Sequence, residues 1–158
     1  MSMELVIHSE DVFVYEDTSP IVDTVFYVLA DGQAFPDDQW TDFVYPVISM
    51  WTETMLRNNS REYSKYSLPF EDGPFWLEVE QSKNDLLIKG INYRNHKTEV
   101  FQSTCTCSEF FNLLFMAFSE LESIVHNNIT FQEEKTKKTI LSSIRHYKEA
   151  IQRCINNQ

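Results

Sequence analysis

The chain has 158 residues, of which 42% are hydrophobic, and its 13 basic and 24 acidic residues give a formal net charge of −11. This length suits one domain with its own hydrophobic core, and the apolar content excludes an intrinsically disordered chain. The negative charge disfavours binding to nucleic acid or to an anionic membrane, because both would repel it.

The N-terminal residues do not resemble a secretory signal, because Met-Ser-Met-Glu-Leu lacks a basic segment followed by a long apolar one. The longest apolar-rich stretch, residues 110–118, is far shorter than a membrane span. We therefore expect a cytosolic protein with no membrane association. The three cysteines, Cys105, Cys107 and Cys154, lack C-x-x-C spacing and nearby ligand pairs, so we expect free thiols, no metal and no cofactor.

Residues 1–35 contain the first predicted strands. The segment 4–16 is rich in β-branched and aromatic residues and is interrupted at residues 9–11, and residues 22–30 form a second apolar run. Asp31 and Gly32 then supply a turn. We predict two or three strands in this part of the chain.

Residues 36–59 have the spacing of a helix. Pro36 suits its first turn, and the helical pattern itself starts at Asp37. Pro46 removes one backbone hydrogen bond, so a kink or a break into two shorter helices is expected there. Apolar residues recur three and four positions apart on one predicted face: Trp40, Phe43, Val44, Val47, Ile48, Trp51 and Met55.

Residues 63–107 are predicted to form an antiparallel meander, because successive β-rich segments are joined by short polar loops. Residues 108–158 supply two helices: one from Ser108 and Glu109, which can cap it, to about residue 126, and one over about residues 132–155. The order of elements predicts a single α+β domain, with an antiparallel sheet of about five strands, one inserted helix and two C-terminal helices packed on the sheet.

No common catalytic motif is present. The three glycines lie far apart, which excludes phosphate-binding loops that need clustered glycines. The four histidines are also dispersed, so a Cys/His nucleophile at Cys105 or Cys107 would depend on the fold. Acidic residues are too numerous for a catalytic carboxylate pair to be identified from the sequence.

Charge is distributed unevenly along the chain. Eleven acidic residues and no basic residue precede Arg57. Residues 1–128 carry a net charge of −14, and residues 129–158 carry +3. This asymmetry points to a basic protein as the partner of the acidic N-terminal part.

The predicted helix 36–59 presents an acidic stripe on the side away from its apolar face. Three carboxylates, a tyrosine and a serine share this stripe: Asp38, Asp42, Tyr45, Ser49 and Glu53. Such a stripe suits a Lys/Arg-rich protein surface, with the tyrosine as anchor and the acids steering encounter. The alternatives are a solvated helix face and internal neutralisation by the basic last helix.

Trp76 is a second candidate for partner binding. It falls on the predicted polar face of its strand with Glu78 and Glu80, and the turn acids Glu71 and Asp72 shortly precede it. An exposed tryptophan there would be an anchor for a partner. The alternative is that a helix or loop covers it.

Two segments carry a family resemblance: D-G-Q-A-F-P-D-D-Q-W-T-D-F at 31–43, followed by Trp51, and F-E-D-G-P-F-W-L-E-V at 70–79. This layout resembles small bacterial immunity proteins of polymorphic or contact-dependent toxin systems. The resemblance implies a non-enzymatic inhibitor that binds one toxin domain, often a basic nuclease. The alternatives from the residues are a small cytosolic enzyme with a Cys/His or carboxylate centre and an adaptor domain that forms a homodimer through its last helix.

Overall fold

The computed structural model describes residues 3–10, 12–15, 21–127 and 131–157. These residues form an α+β structure with nine strands in two antiparallel sheets and with three helices. The predicted α+β class, with one inserted helix and two helices at the end, is confirmed. The strands divide between a five-stranded sheet and a four-stranded sheet.

The five-stranded sheet is centred on one long strand. Its strands are β1 (Met3–Ile7), β2 (Phe13–Tyr15), β3 (Ile21–Ala30), β4 (Gln33–Phe35) and β5 (Thr41–Phe43). Leu29 of β3 pairs with β1 and β4 at once, and Asp23 pairs with β2 and β5 at once. Val25 pairs with β5 and also accepts a hydrogen bond from the His8 amide just after β1. Thus β1 and β2 share one edge of β3, and β4 and β5 share the other.

The predicted interruption after residue 8 separates β1 from β2, with Ser9 and Glu10 in a bend. Asp11 and Glu16, which the predicted β-rich segment also included, lie outside the described residues.

The four-stranded sheet is an antiparallel meander in the order β6-β7-β8-β9. Its strands are β6 (Tyr63–Pro69), β7 (Phe75–Ser82), β8 (Asp85–Asn92) and β9 (Thr98–Thr106). Gly90 of β8 lies under the ring of Phe101, and a Cβ atom at Gly90 would collide with that ring. The missing side chain therefore makes room for Phe101, whose ring lies 5.4 Å from the ring of Phe35 in the other sheet.

Helix α1 (Val44–Asn58) begins seven residues later than Asp37, the predicted start. This part of the prediction is wrong, because residues 41–43 pair with β3 as strand β5 instead of continuing the helix. The expected kink at Pro46 is also wrong. Pro46 occupies the first turn of α1, where a backbone N–H has no helical partner in any case.

Helices α2 (Cys107–Asn127) and α3 (Glu134–Asn156) pack on each other. A reciprocal pair of hydrogen bonds begins α2: the Thr106 amide donates to Glu109, and the Glu109 amide donates to the Thr106 hydroxyl. The cap is thus Thr106 and not Ser108. Ring stacking of Phe118 on Tyr147, at 5.2 Å between centroids, joins the two helices.

The hydrophobic core includes residues from both sheets and from all three helices. Trp51 of α1 is fully buried, with its ring centroid 5.6 Å from Phe26 of β3 and 5.3 Å from Phe70. Its indole N–H donates to the carbonyl of Pro69 at 2.7 Å. One tryptophan thus joins α1 to both sheets.

Candidate functional site

The structure does not bring the five residues of the predicted acidic stripe onto one helix face. Asp38 is exposed and lies before β5, and Asp42 is buried within β5. Only Tyr45, Ser49 and Glu53 belong to α1. The predicted spacing fails because α1 begins at Val44, so a helical repeat does not apply to the two aspartates.

The remaining part of the stripe faces α3. The Tyr147 hydroxyl donates a hydrogen bond to Glu53, and Tyr45 and Ser49 lie near the same hydroxyl. Burial, followed by the contact with Glu53, raises the pKa of Tyr147. These side chains therefore hold α1 against α3, and of the three only Glu53 is exposed.

Asp42 is a buried carboxylate with three hydrogen-bond donors, one of which is the backbone of Asp72. The Trp40 indole donates to one oxygen at 3.1 Å, and the Phe43 amide donates to the other at 2.7 Å. Burial raises the pKa of Asp42, and the charge of Asp72 acts in the same direction, while the hydrogen bonds oppose the shift. The pKa of Asp23 is also raised, first by burial and then by Asp72.

Asp42 is expected to favour the fold at acidic pH. Its folded-state pKa is raised, so the stabilising contribution is complete below the unfolded-state value of about 3.9 and is lost as pH rises through the folded-state value. Urea unfolding at about pH 4.5 and about pH 7 measures this, with the wild type losing stability relative to Asp42→Asn as pH rises. Asp38→Asn controls for the loss of a carboxylate at an exposed site. A pH-independent difference between wild type and Asp42→Asn would contradict the expectation.

The turn between β6 and β7 contains Glu71 and Asp72, and Trp76 is the second residue of β7. Glu71 and Asp72 are exposed in the turn, and Trp76 is half-buried on the outer face of β7 with its ring 6.0 Å from that of Tyr93. Three ion pairs balance charge on or beside this outer face of the four-stranded sheet: Lys65–Glu80 at 3.4 Å, Lys97–Glu78 at 2.8 Å and Lys89–Glu99 at 3.7 Å. The acids that flank Trp76 along β7 are therefore paired with lysines.

The five-stranded sheet has a partly exposed apolar face that the sequence interpretation missed. We call it the outer sheet face, and strand register places eleven residues with described side chains on it: Glu4, Val6, Phe13, Tyr15, Asp23, Val25, Tyr27, Leu29, Ala34, Thr41 and Phe43. Phe13 is 64% exposed and Tyr15 50% exposed. A sequence signal for this face exists, because β3 is apolar at nearly every position, a pattern typical of a strand covered on both sides.

A cleft of about 690 Å³ opens at one end of the four-stranded sheet. Cys105 contributes to its lining, together with Tyr63, Glu80, Asp85 and Glu109, and the lining residues include no histidine. Burial raises the pKa of Cys105 to about 12, so the thiol stays protonated at neutral pH. Glu109 is engaged in the cap of α2. This arrangement disfavours a Cys/His nucleophile in the cleft.

Comparison with known protein families, curated proteins and solved structures gives no match. None of the described helices has the length and apolar character needed to cross a membrane. Within the same residues, no group of three or more His, Cys, Asp or Glu side chains is arranged to hold a metal ion.

Proposed function

We propose that this protein is a non-enzymatic immunity or antitoxin-type protein that binds and blocks a basic toxin domain in a bacterial cytosol. The observation that carries the proposal is charge segregation in the fold. The five-stranded sheet is built from residues 3–43, whose described part includes seven acidic residues and no Lys or Arg. One sheet of the protein is thus anionic, without lysine or arginine of its own.

The charge balance of the rest of the chain makes this segregation informative. Three lysines of the four-stranded sheet and its loops, Lys65, Lys89 and Lys97, pair with glutamates. Lys148 of α3 pairs with Glu122 of α2 at 3.5 Å. Residues 3–43 have no lysine or arginine to form such pairs. Like charges held together repel each other, and a partner with a complementary basic surface relieves that repulsion and is steered toward it.

The same charge argues against nucleic acid and anionic lipid as partners. The alternative of an adaptor that dimerises through its last helix also loses support, because the apolar side of α3 packs within the chain. Ile140, Ile144 and Ile151 are fully buried. A homodimer formed through that seam would have to displace these contacts, whereas an inhibitor needs only the acidic surface.

The test is to mix the purified protein with the toxin domain encoded by the neighbouring gene and to measure binding and toxin activity. We expect a complex at submicromolar concentration and loss of toxin activity, with association that slows as salt increases. Charge reversal in Asp38→Lys should slow association by about three- to tenfold. Glu120→Lys, an exposed reversal on α2, is the matched control. No complex at micromolar concentration in moderate salt would overturn the proposal.

A further inference from the structure

We infer that the outer sheet face is the surface on which a basic protein partner docks, an inference that rests on the proposed function. The register brings the face together from all five strands of the sheet. Val6 lies opposite Tyr27, Thr41 lies opposite Val25, and Asp23 lies between β2 and β5. The Tyr15 and Phe43 rings meet edge to face across β3 at 6.3 Å.

The two faces of β3 differ in burial although both are apolar. Val22, Phe26 and Val28 point to the inner face and are fully buried. Val25, Tyr27 and Leu29 point to the outer sheet face and are only half-buried. A strand apolar on both sides is typical of a sheet covered on both sides, so a second cover from outside the chain fits this composition.

The composition of the outer sheet face matches that of a binding surface. Exposed Phe13 and Tyr15 provide rigid aromatic side chains of the kind that concentrate binding energy, next to the half-buried Phe43. Glu4 and Asp23 provide carboxylates on the same face. An apolar centre with charged groups around it is the usual anatomy of a protein interface.

Charge decides which occupant the face accepts. Every lysine and arginine of the chain lies at or after Arg57, outside the sheet that forms this face. A second copy docked face to face would place carboxylates against carboxylates. A protein with a basic rim around an apolar patch complements the same surface, and we commit to that occupant.

The first arm of the test uses the complex with the toxin domain of the neighbouring gene. The double variant Phe13→Ser/Tyr15→Ser should weaken binding by about thirtyfold or more, as loss of aromatic anchors does at an interface centre. Tyr63→Ser is the matched control, because Tyr63 is 60% exposed but lies on the other sheet. Unchanged circular dichroism and melting temperature would show that the double variant folds. Wild-type affinity in the double variant would overturn the docking surface and leave the proposed function standing.

The second arm needs no toxin. Benzyltrimethylammonium, a small aromatic cation, is titrated against the protein and followed by amide chemical shifts, with benzenesulfonate as the anionic match. We expect cation-induced shifts at the outer sheet face, centred on Tyr27 and Phe43, that disappear in the double variant. Shifts centred on Trp76 and Tyr93, or equal shifts with both probes, would overturn the inference. A homodimer in sedimentation that the double variant abolishes would also overturn it, since the occupant would then be a second copy.

The two arms separate the inference from the proposed function. If the wild type forms no complex but the cation still shifts amides of the outer sheet face, the toxin partner is refuted. The inference that this face binds an aromatic cation is then supported. A complex that forms but is insensitive to the double variant refutes the surface and supports the partner.

Discussion

Replacing Trp51 by alanine is expected to lower the free energy of unfolding by about 3 to 5 kcal/mol, the largest stability loss that we expect from a single substitution in this chain. The side chain is fully buried between Phe26 and Phe70. Its removal would leave a cavity where α1 meets both sheets. It would also leave the carbonyl of Pro69 without the indole donor that now lies at 2.7 Å.

Urea unfolding followed by circular dichroism measures this loss. Trp76→Ala is the matched control, because Trp76 is half-buried on the outer face of β7 and should lose much less. If Trp51→Ala does not fold, Trp51→Phe gives a milder test, with an expected loss of about 1 to 3 kcal/mol from the missing hydrogen bond and the smaller ring. Equal losses in Trp51→Ala and Trp76→Ala would show that this contact does not join the sheets as described.

Replacing Gln81 by leucine is expected to cost about 2 to 4 kcal/mol, although leucine is more apolar and the site is fully buried. The Gln81 amide nitrogen donates to the carbonyls of Asn58 and Arg61, at 3.0 and 3.2 Å. The Tyr66 hydroxyl lies 3.1 Å from the Gln81 carbonyl oxygen. Leucine would remove all three hydrogen bonds. The Asn58 carbonyl would keep only the Arg61 amide as donor, the Tyr66 hydroxyl would keep only the Met55 sulfur, and the Arg61 carbonyl would lose the Gln81 donor. These lost hydrogen bonds cost more than the added apolar burial returns.

Gln102→Leu is the control for this substitution, because Gln102 is exposed on β9 of the same sheet. Its effect should stay within about 0.5 kcal/mol. Urea unfolding of both variants gives the comparison. A Gln81→Leu protein as stable as the wild type would mean that the hydrogen bonds contribute nothing beyond what the leucine side chain restores.

Local sequence patterns predict those elements whose buried side chains follow the regular spacing of a strand or a helix. Alternation in residues 75–80 predicts β7, and the apolar positions of α1 place Trp51 correctly on the core face. The start of α1 could not be predicted in this way, since residues 41–43 have helical spacing but pair with β3. A hydrogen-bonded neighbour that is distant in sequence outweighs a weak local preference.

The burial of some polar residues could not be predicted from residue type. Gln81 continues the inward-facing series of Phe75, Leu77 and Val79, yet a polar residue at the end of such a series is expected to face solvent. Its burial depends on carbonyls from the end of α1 and the following loop, which only the fold places within reach. The same holds for Asp42, whose partner Trp40 is near in sequence but whose burial comes from the sheet.

The sequence by itself determined that the chain is acidic, that eleven acidic residues and no basic residue precede Arg57, and that strands and helices follow in an α+β order. Those properties are local or additive, so counting and spacing reveal them. Only the tertiary structure decided which residues of the acidic N-terminal part are buried and which are exposed. It withdrew Asp42 into the core, turned Tyr45 and Ser49 toward α3, and left an aromatic face of the five-stranded sheet open. Burial is a property of contacts between distant segments, and the sequence pattern of β3, apolar on both sides, does not say which side the chain itself will cover.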